Sequence, residues 1–352
     1  MADNFVQSNG VLKNKLGATT PEALTLAEQV HVPARRREYF RDAPIPWTLD
    51  EAHLRALHKQ LFQDVFEWAG RTRNEQIKLS DGTTASMPTM AKMGGHPFHS
   101  GYEITLGLES LFDGIKADKL LTGLDRDTFA NKAADAFTEL NAIHPFREGN
   151  GRTQRAFIET LALAAGHKLD FTVMSTQRNL DVSIASHVNN DLDAMRRLFR
   201  EIAAPERVEA LRYAQSAIDG FRAMGTTKID WRDTYMATME PGQSYDKLTM
   251  VGVSRNQFMA RTNKQILVGN RGDLPTPNPK ADQTFAVLAT PLLPILNSEL
   301  PYPASTSPRF VGMTLEAFNI AAETVHNAET AERAGKALLA EQAKNKSRGP
   351  TR

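Results

Sequence analysis

Nothing in this chain restricts its folding as sharply as the nine residues His144-Pro145-Phe146-Arg147-Glu148-Gly149-Asn150-Gly151-Arg152. They separate two stretches of helical periodicity. Upstream, Phe129, Ala133, Ala136, Phe137, Leu140 and Ile143 recur as one apolar stripe, so a helix capped at Asp127 runs up to His144. Pro145 pushes the residue before it out of the α region, so that helix stops at the histidine. Downstream, TQRAFIETLALAAGH resumes the helical period, and the glycines on either side of Asn150 make a tight loop that feeds the second helix. Two helices therefore meet at a short connection, with His144 closing the first and Gly149-Asn150-Gly151 opening the second. Pro145 ends a helix in this reading, and Phe146 anchors the loop in the core.

The same connection carries chemistry. Backbone N–H groups at a glycine-rich helix start, with the positive end of the helix dipole behind them, form an anion site suited to phosphate. Arg152, in the first turn, and Arg155, three residues on and on the same face, add charge-assisted donors, so the ligand expected is a polyphosphate. Glu148 stands beside this loop. A lone carboxylate next to phosphate oxygens is the usual protein share of a Mg²⁺ site. His144, with an ordinary pKa of about 6.5, can take a proton from an attacking hydroxyl near neutral pH. The set implies hydroxyl attack on phosphorus, with positioning and charge stabilisation as the main catalytic means. Any one of these residues alone fits an ordinary surface loop; their combination at this spacing does not.

Composition narrows the setting. Charged residues make up 24% and apolar residues 41% of 352 positions, an ordinary globular balance, and the length suits a main domain with a smaller second unit. Lys plus Arg number 42 against 41 acids, so no global field points to nucleic acid or membrane as partner. The absence of cysteine removes disulfides, thiolate metal sites and Cys nucleophiles, and no apolar leader or long apolar run occurs, which reads as a cytoplasmic protein.

Along the chain, residues 1–45 read as a partly helical extension, with Thr20 capping a short helix from Pro21; Arg35-Arg36-Arg37 within it reads as a solvated face. Thr48 and Glu51 form a capping-box pattern before an amphipathic helix through Leu54, Leu57, Leu61 and Val65. His53 and His58 lie on that helix at a spacing unsuited to one metal, and read as surface or core histidines. IKLSDGTTASM alternates about Asp81-Gly82, a type I′ turn signal, so residues 76–87 read as a β-hairpin that must lie against something. GGHPFHSGY, residues 94–102, reads as a loop without a third metal ligand for His96 and His99, and residues 102–117 as another helix. Residues 205–230 read as a connecting helix, 231–274 as a small β-rich and OB-like unit, 275–313 as a proline-rich linker, and 314–352 as a C-terminal helix with a polar tail. Lys247, Arg255, Arg261, Lys264 and Arg271 in the β-rich part lack the aromatic interleaving of a nucleic-acid surface.

HPFREGNGRTQR matches every defined position of H-x-F-x-D/E-G-N-G-R-x-x-R, and so resembles the active-site motif of the Fic (filamentation induced by cAMP) family. The helix at 128–143, the hairpin, FEWAGRTR (66–73), VLKNKLG and SIASHVNNDLDAMRRLF (183–199) extend the resemblance to class I Fic toxins and type IV secretion Fic effectors over about residues 8–204. It implies a mainly α fold: a Fic catalytic helical bundle at 46–204 with a β-hairpin flap. The implied activity is that of a protein adenylyltransferase, moving AMP from ATP to a Ser, Thr or Tyr hydroxyl of a target protein. Carried over to this chain, His144 is the base, Glu148 holds Mg²⁺, Gly149, Asn150 and Gly151 form the anion hole, and Arg152 and Arg155 bind the phosphate tail. The flap is Ile77, Lys78, Leu79, Asp81, Gly82 and Thr83. Relatives that phosphorylate replace the second glycine by lysine; Gly151 keeps the AMP-transfer pattern. A non-catalytic nucleotide-binding module and a Fic-type phosphotransferase stay open beside it. The family's inhibitory pattern S/T-x-x-x-E-G/N has no clean match, since Phe318 stands in the glutamate position of the stretch from Thr314 to Asn319. The resemblance thus implies a separate small antitoxin whose glutamate faces Arg155, and a bacterial toxin or an effector passed into another cell.

Overall fold

The structure, a computed structural model, describes residues 4–91, 95–189, 191–254, 256–280, 283–293 and 302–303. The stretch expected as a C-terminal helix, 314–352, lies outside the described residues, as do Lys92 to Gly94 and Arg255. The chain divides into two compact units. Among the described residues the first takes in the chain up to 168 together with 186–196, and the second takes in 169–185 and the chain from 197 onward.

The first unit is helical. α1 (Pro21–Asp42) is opened by Thr20, whose side chain accepts from Ala23 N–H, with Pro21 at the first helical position as the sequence predicts; it runs 22 residues, longer than a short helix. Its basic run is not a bare solvated face, because Arg35 pairs with Asp64 and Glu38, and Arg36 with Glu159. α2 (Glu51–Phe62) is capped by Asp50, which accepts from His53 N–H, and not by Thr48. Thr48 instead donates its hydroxyl to Asp50 Oδ1 at 2.6 Å, orienting the carboxylate that satisfies the helix end. α3 (Glu103–Ala117) follows the loop around Phe98. α4 (Arg126–Ile143) starts at Asp125, which accepts from both Asp127 and Thr128 N–H, so the cap lies two residues before Asp127. α5 (Asn150–Ala164) begins at the glycine loop.

α2, α4 and α5 bury Leu54, Leu57, Leu61, Phe129, Phe137, Leu140, Ile143, Phe157 and Leu161. Alanines at 130, 133 and 134 are fully buried on α4, so α4 meets its neighbours through small side chains, the condition for close helix approach. α1 joins this core by a buried polar chain. Leu49 N–H donates to His53 Nδ1 at 3.3 Å, which leaves His53 Nε2 as the protonated nitrogen facing Tyr39 Oη at 2.9 Å. Tyr39 then donates to Thr160 Oγ1 at 2.9 Å and Thr160 to Ala156 C=O at 2.8 Å. Burial keeps the His53 ring neutral, with its pKa lowered to about 4.

β1 (Ile77–Lys78) and β2 (Thr84–Ala85) form the expected hairpin, antiparallel with Ile77 opposite Ala85 and Lys78 opposite Thr84. Its turn is not type I′. That type needs positive φ at both central residues, and only Gly82 has it, at φ 83°. Leu79 C=O accepts from Gly82 N–H at 3.0 Å and Leu79 N–H donates to Thr83 C=O at 2.8 Å, the three-residue loop that ends in a left-handed glycine. The N-terminal residues pin the hairpin: Asn4 Nδ2 donates to Thr84 C=O, and Lys13 Nζ reaches Thr83 Oγ1 and Asp81.

α6 (Thr176–Val188) and α7 (Leu192–Ala203) each contribute residues to both units, and α8 (Pro205–Ala223) belongs to the second. The second unit carries β3 (Tyr235–Thr238), β4 (Ser244–Val253), β5 (Gln257–Arg261), β6 (Gln265–Asn270), β7 (Thr284–Leu288) and β8 (Tyr302–Pro303). The sheet order is β3-β6-β5-β4-β7, with β8 also on β4; β3 and β6 pair in parallel and the rest are antiparallel. β7 falls in the stretch the sequence reads as proline-rich linker, and its inward Phe285 and Val287 join the core of Met239, Leu248, Phe258 and Leu267. At the helical side of this unit Arg178 and Glu201 form a buried ion pair, and Glu201 also accepts Thr238 N–H and hydroxyl, which fixes β3 against the helices.

Candidate active site

α4 ends where its sequence says it must. His144 is the C-cap, in left-handed conformation at φ 48° and ψ 60°, and its N–H closes on Leu140 C=O at 3.1 Å. A non-glycine residue in this region is strained, and its backbone is held there by a neighbour the sequence reading missed. Arg73 is completely buried. Its Nε donates to His144 C=O at 2.8 Å, and its terminal nitrogens reach the carbonyls of Met87 (3.1 Å), Pro88 (2.6 Å) and His99. Its own backbone N–H donates to Pro145 C=O at 2.8 Å. One guanidinium thus ties together the end of α4, the stem after the hairpin and the loop before α3. Desolvation lowers its pKa to about 10, which still leaves it charged at neutral pH.

The loop after His144 closes on itself. Phe146 N–H donates to Asn150 Oδ1 at 2.9 Å and Asn150 Nδ2 donates to Phe146 C=O at 2.7 Å, so the Asn150 side chain is spent on loop geometry and only its backbone faces a ligand. Phe146, buried, stacks on His58 at 3.9 Å between centroids. His58 is itself a fastener. Gly70 N–H donates to its Nδ1 at 2.7 Å, so its Nε2–H is the donor to Glu148 C=O at 3.0 Å. Full burial holds this ring neutral, with its pKa lowered to about 3.

Gly149 caps α5 at φ 84°, and a Cβ there would sit 2.4 Å from Phe62 Cζ. Both facts require glycine. The N–H groups of Asn150, Gly151 and Arg152, in the first turn, have no intrahelical acceptor and open on the loop side. The Gly149 N–H is already taken by Glu148 Oε1 at 2.8 Å. A Cβ on Gly151 would lie 3.4 Å from Arg155 Nη1, so the bare glycine leaves the space between the helix start and that guanidinium open. Arg152 lies over Phe62, 4.7 Å from the ring centroid, and pairs with Glu28 of α1 and with Glu148 at 3.3 Å. Glu28 was not anticipated; its burial raises its pKa, and Arg152 opposes that rise. Arg155 has its pKa lowered to about 10 by burial and by the neighbouring charges of Arg152 and Arg36. Arg152 and Arg155 thus lie on the first turns of α5 beside the anion loop, where the charge of Arg152 disfavours that of Arg155 and a polyanion would offset both.

The predicted residues come together as follows. His144, Glu148, the 149–151 loop, Arg152 and Arg155 occupy one connection and the first turns of α5. In the hairpin, Ile77 and Leu79 are buried, Lys78, Asp81 and Gly82 are exposed, and Asp81 is held ionised by Lys13 and Thr83. Its stem, at Met87 and Pro88, hangs from the same Arg73 that holds His144. No cluster of three or more His, Asp or Glu able to hold a metal occurs among the described residues. For Mg²⁺, Glu148 offers a half-exposed carboxylate with one oxygen engaged, the share expected when substrate phosphates and water supply the remaining ligands.

Fold and site together define a helical domain in which a histidine-ended helix meets a glycine-opened one, an arrangement whose helix start can take a phosphorylated ligand. The Fic/DOC family model matches residues 48–162. A protein of Sinorhizobium fredii named probable protein adenylyltransferase is 37% identical over 177 residues, half of this chain and 83% of that protein. The chain belongs to the Fic/DOC family. A protein adenylyltransferase of Bartonella henselae is 36% identical over 265 residues, covering 75% of this chain and 47% of the relative, so the present chain spans about half that protein's length. Among solved structures, the type IV secretion system effector protein BepA superposes with a TM-score of 0.72 at 33% identity over 82% of this chain and 97% of its own. The N-terminal Fic domain of a Bartonella quintana effector with bound ADP gives a TM-score of 0.55 at 40% identity over 57% of this chain and 94% of its own.

Proposed function

We propose that this chain is a protein adenylyltransferase that transfers AMP from ATP to a Ser, Thr or Tyr hydroxyl of a target protein. The observation that carries the reading is the placement of a half-buried histidine, fixed at a helix end, beside a helix start whose free N–H groups and paired arginines suit a triphosphate. The ADP held by the Bartonella quintana relative and the adenylyltransferase names of the sequence relatives support it.

In this mechanism the target hydroxyl gives its proton to His144 while its oxygen attacks the α-phosphorus. The bond to the β-phosphate oxygen breaks, and pyrophosphate leaves with the electron pair. The first-turn N–H groups of α5 receive the charge that develops on the phosphate oxygens, and Arg152 and Arg155 hold the leaving tail. Mg²⁺ bound through Glu148 would neutralise phosphate charge and orient the tail. The hairpin of residues 76–87 offers a paired strand edge on which an extended target segment can lie. A separate small antitoxin with a glutamate that engages Arg155 fits a sequence in which the inhibitory pattern has no clean match, and the likeness to a type IV secretion system effector supports passage into another cell. The test is incubation with α-labelled ATP, Mg²⁺ and a cell lysate. Label on protein that disappears in His144→Ala is the expected result, and label transferred from γ-labelled ATP instead would replace AMP transfer by phosphorylation.

A further inference from the structure

The loop before α3 carries an aromatic ring that the mechanism above does not use. Phe98 stacks on the His144 imidazole with centroids 3.9 Å apart and planes within 13°, and it lies 5.3 Å from the His187 ring. The ring is nearly all buried, at 7% exposure. Its backbone is held on both sides: Phe98 N–H donates to Met90 C=O at 3.0 Å, and His99 N–H donates to Ala142 C=O at 3.1 Å. Arg73 takes His99 C=O and His144 C=O together, so the residue that follows the stacking partner and the stacked residue hang from one buried cation. α3 presses on the same place through Gly107, where a Cβ would come within 2.8 Å of His99 and 2.9 Å of Ile143.

We propose that Phe98 is a positioning residue for His144, fixing the plane of the imidazole that accepts the target proton. The backbone of His144 is fixed by Leu140 and Arg73, but those bonds leave its two side-chain torsions undetermined. A face-on contact fixes the plane they define, up to a half-turn about the second. The ring nitrogens of imidazole lie in its plane, so a partner stacked on one face holds the ring without taking either nitrogen. Proton abstraction needs the base within hydrogen-bond reach of the hydroxyl, and a displacement of about 1 Å costs on the order of 100-fold in rate. A rigid aromatic plane anchored by its own backbone meets that need.

This inference rests on the reading of His144 as the base, so its test has an arm that needs no activity. In the full chain with ¹³C-labelled histidine, the His144 ring protons, assigned with His144→Ala, should appear upfield from the ring current of Phe98. They should return toward the random-coil position in Phe98→Leu, which keeps an apolar side chain but removes the plane. In the activity arm, Phe98→Leu should lower kcat for AMP transfer about 10- to 100-fold with KM for ATP within about twofold, and Phe98→Tyr, which restores the plane, should recover most of the rate. Unchanged His144 shifts in Phe98→Leu, or kcat within about twofold of the parent, overturns the proposal. So does a Phe98→Leu protein in which kcat, KM and melting temperature all worsen and Phe98→Tyr does not restore the rate, because that pattern describes core filling. If the parent chain itself transfers no AMP while the shifts behave as stated, the stacking role stands and the assignment of His144 as base falls.

Discussion

Gly149→Ala separates two physical demands at the anion loop. The first is conformational: φ is 84°, and an L-residue held in left-handed backbone costs about 1–2 kcal/mol. The second is steric. The new Cβ would stand 2.4 Å from Phe62 Cζ and 2.5 Å from Cε2, so the ring or the loop must yield by about 1 Å to reach a normal carbon contact near 3.5 Å. Phe62 is fully buried, with His58 stacked at 4.8 Å and Phe66 at 6.0 Å, and has little room to retreat. Overpacking of this kind adds about 1–3 kcal/mol, for a total of about 2–5 kcal/mol. Urea unfolding followed by circular dichroism measures it, with Phe62→Leu and the double variant completing a cycle. The steric part should reappear as favourable coupling of about 1–3 kcal/mol in the double variant, leaving the conformational part. A loss of less than about 0.5 kcal/mol for Gly149→Ala, or no coupling to Phe62, would refute the reasoning.

Stability should also fall in acid in a way traceable to the two buried histidines. His53 and His58 are held neutral, with pKa about 4 and about 3, against about 6.5 in the unfolded chain. Below pH 6.5 the unfolded state binds more protons, so each ring removes up to about 1.4 kcal/mol of stability per pH unit until its folded pKa is reached. His58→Gln should start less stable at pH 7 and decline less steeply toward pH 4.5; an unchanged slope in denaturant midpoints would contradict the assignment. Arg73→Lys should cost about 2–5 kcal/mol, because a compact ammonium leaves several buried carbonyls unpaired at about 1–3 kcal/mol each, and melting would check it. Arg155→Ala should raise KM for ATP while sparing the melting temperature, and an unchanged KM in initial-rate assays would remove Arg155 from the phosphate site.

The central stretch was legible because its signals are local. Pro145 stops one helix, Gly149 permits the left-handed start of the next, and both act over a residue or two. Helix caps failed by small margins for a related reason: Asp50 and Asp125 outcompete Thr48 and Asp127, and only the packing of α2 and α4 decides which nearby oxygen meets the first N–H groups. The Asp81-Gly82 signal gave the hairpin but not its turn, since the register of Leu79 with Thr83 leaves Asp81 at ordinary φ. Arg73, His58, Glu28 and Phe98 were out of reach. Each acts across many residues of sequence, and nothing in FEWAGRTR, HLRALHKQ or GGHPFHSGY says that the ring or guanidinium will be buried against His144, Glu148 or Arg152. β7 was hidden by the prolines around it, which mark chain ends of a strand as readily as a linker.

The most direct test of the account is a paired labelling experiment with ATP carrying the label on its α- or its γ-phosphate, using the chain, Mg²⁺ and lysate protein, with His144→Ala in parallel. The account predicts protein-bound label from α-labelled ATP alone, matched by release of pyrophosphate and abolished in His144→Ala. Label from the γ-phosphate, or α-label that persists in His144→Ala, would contradict it.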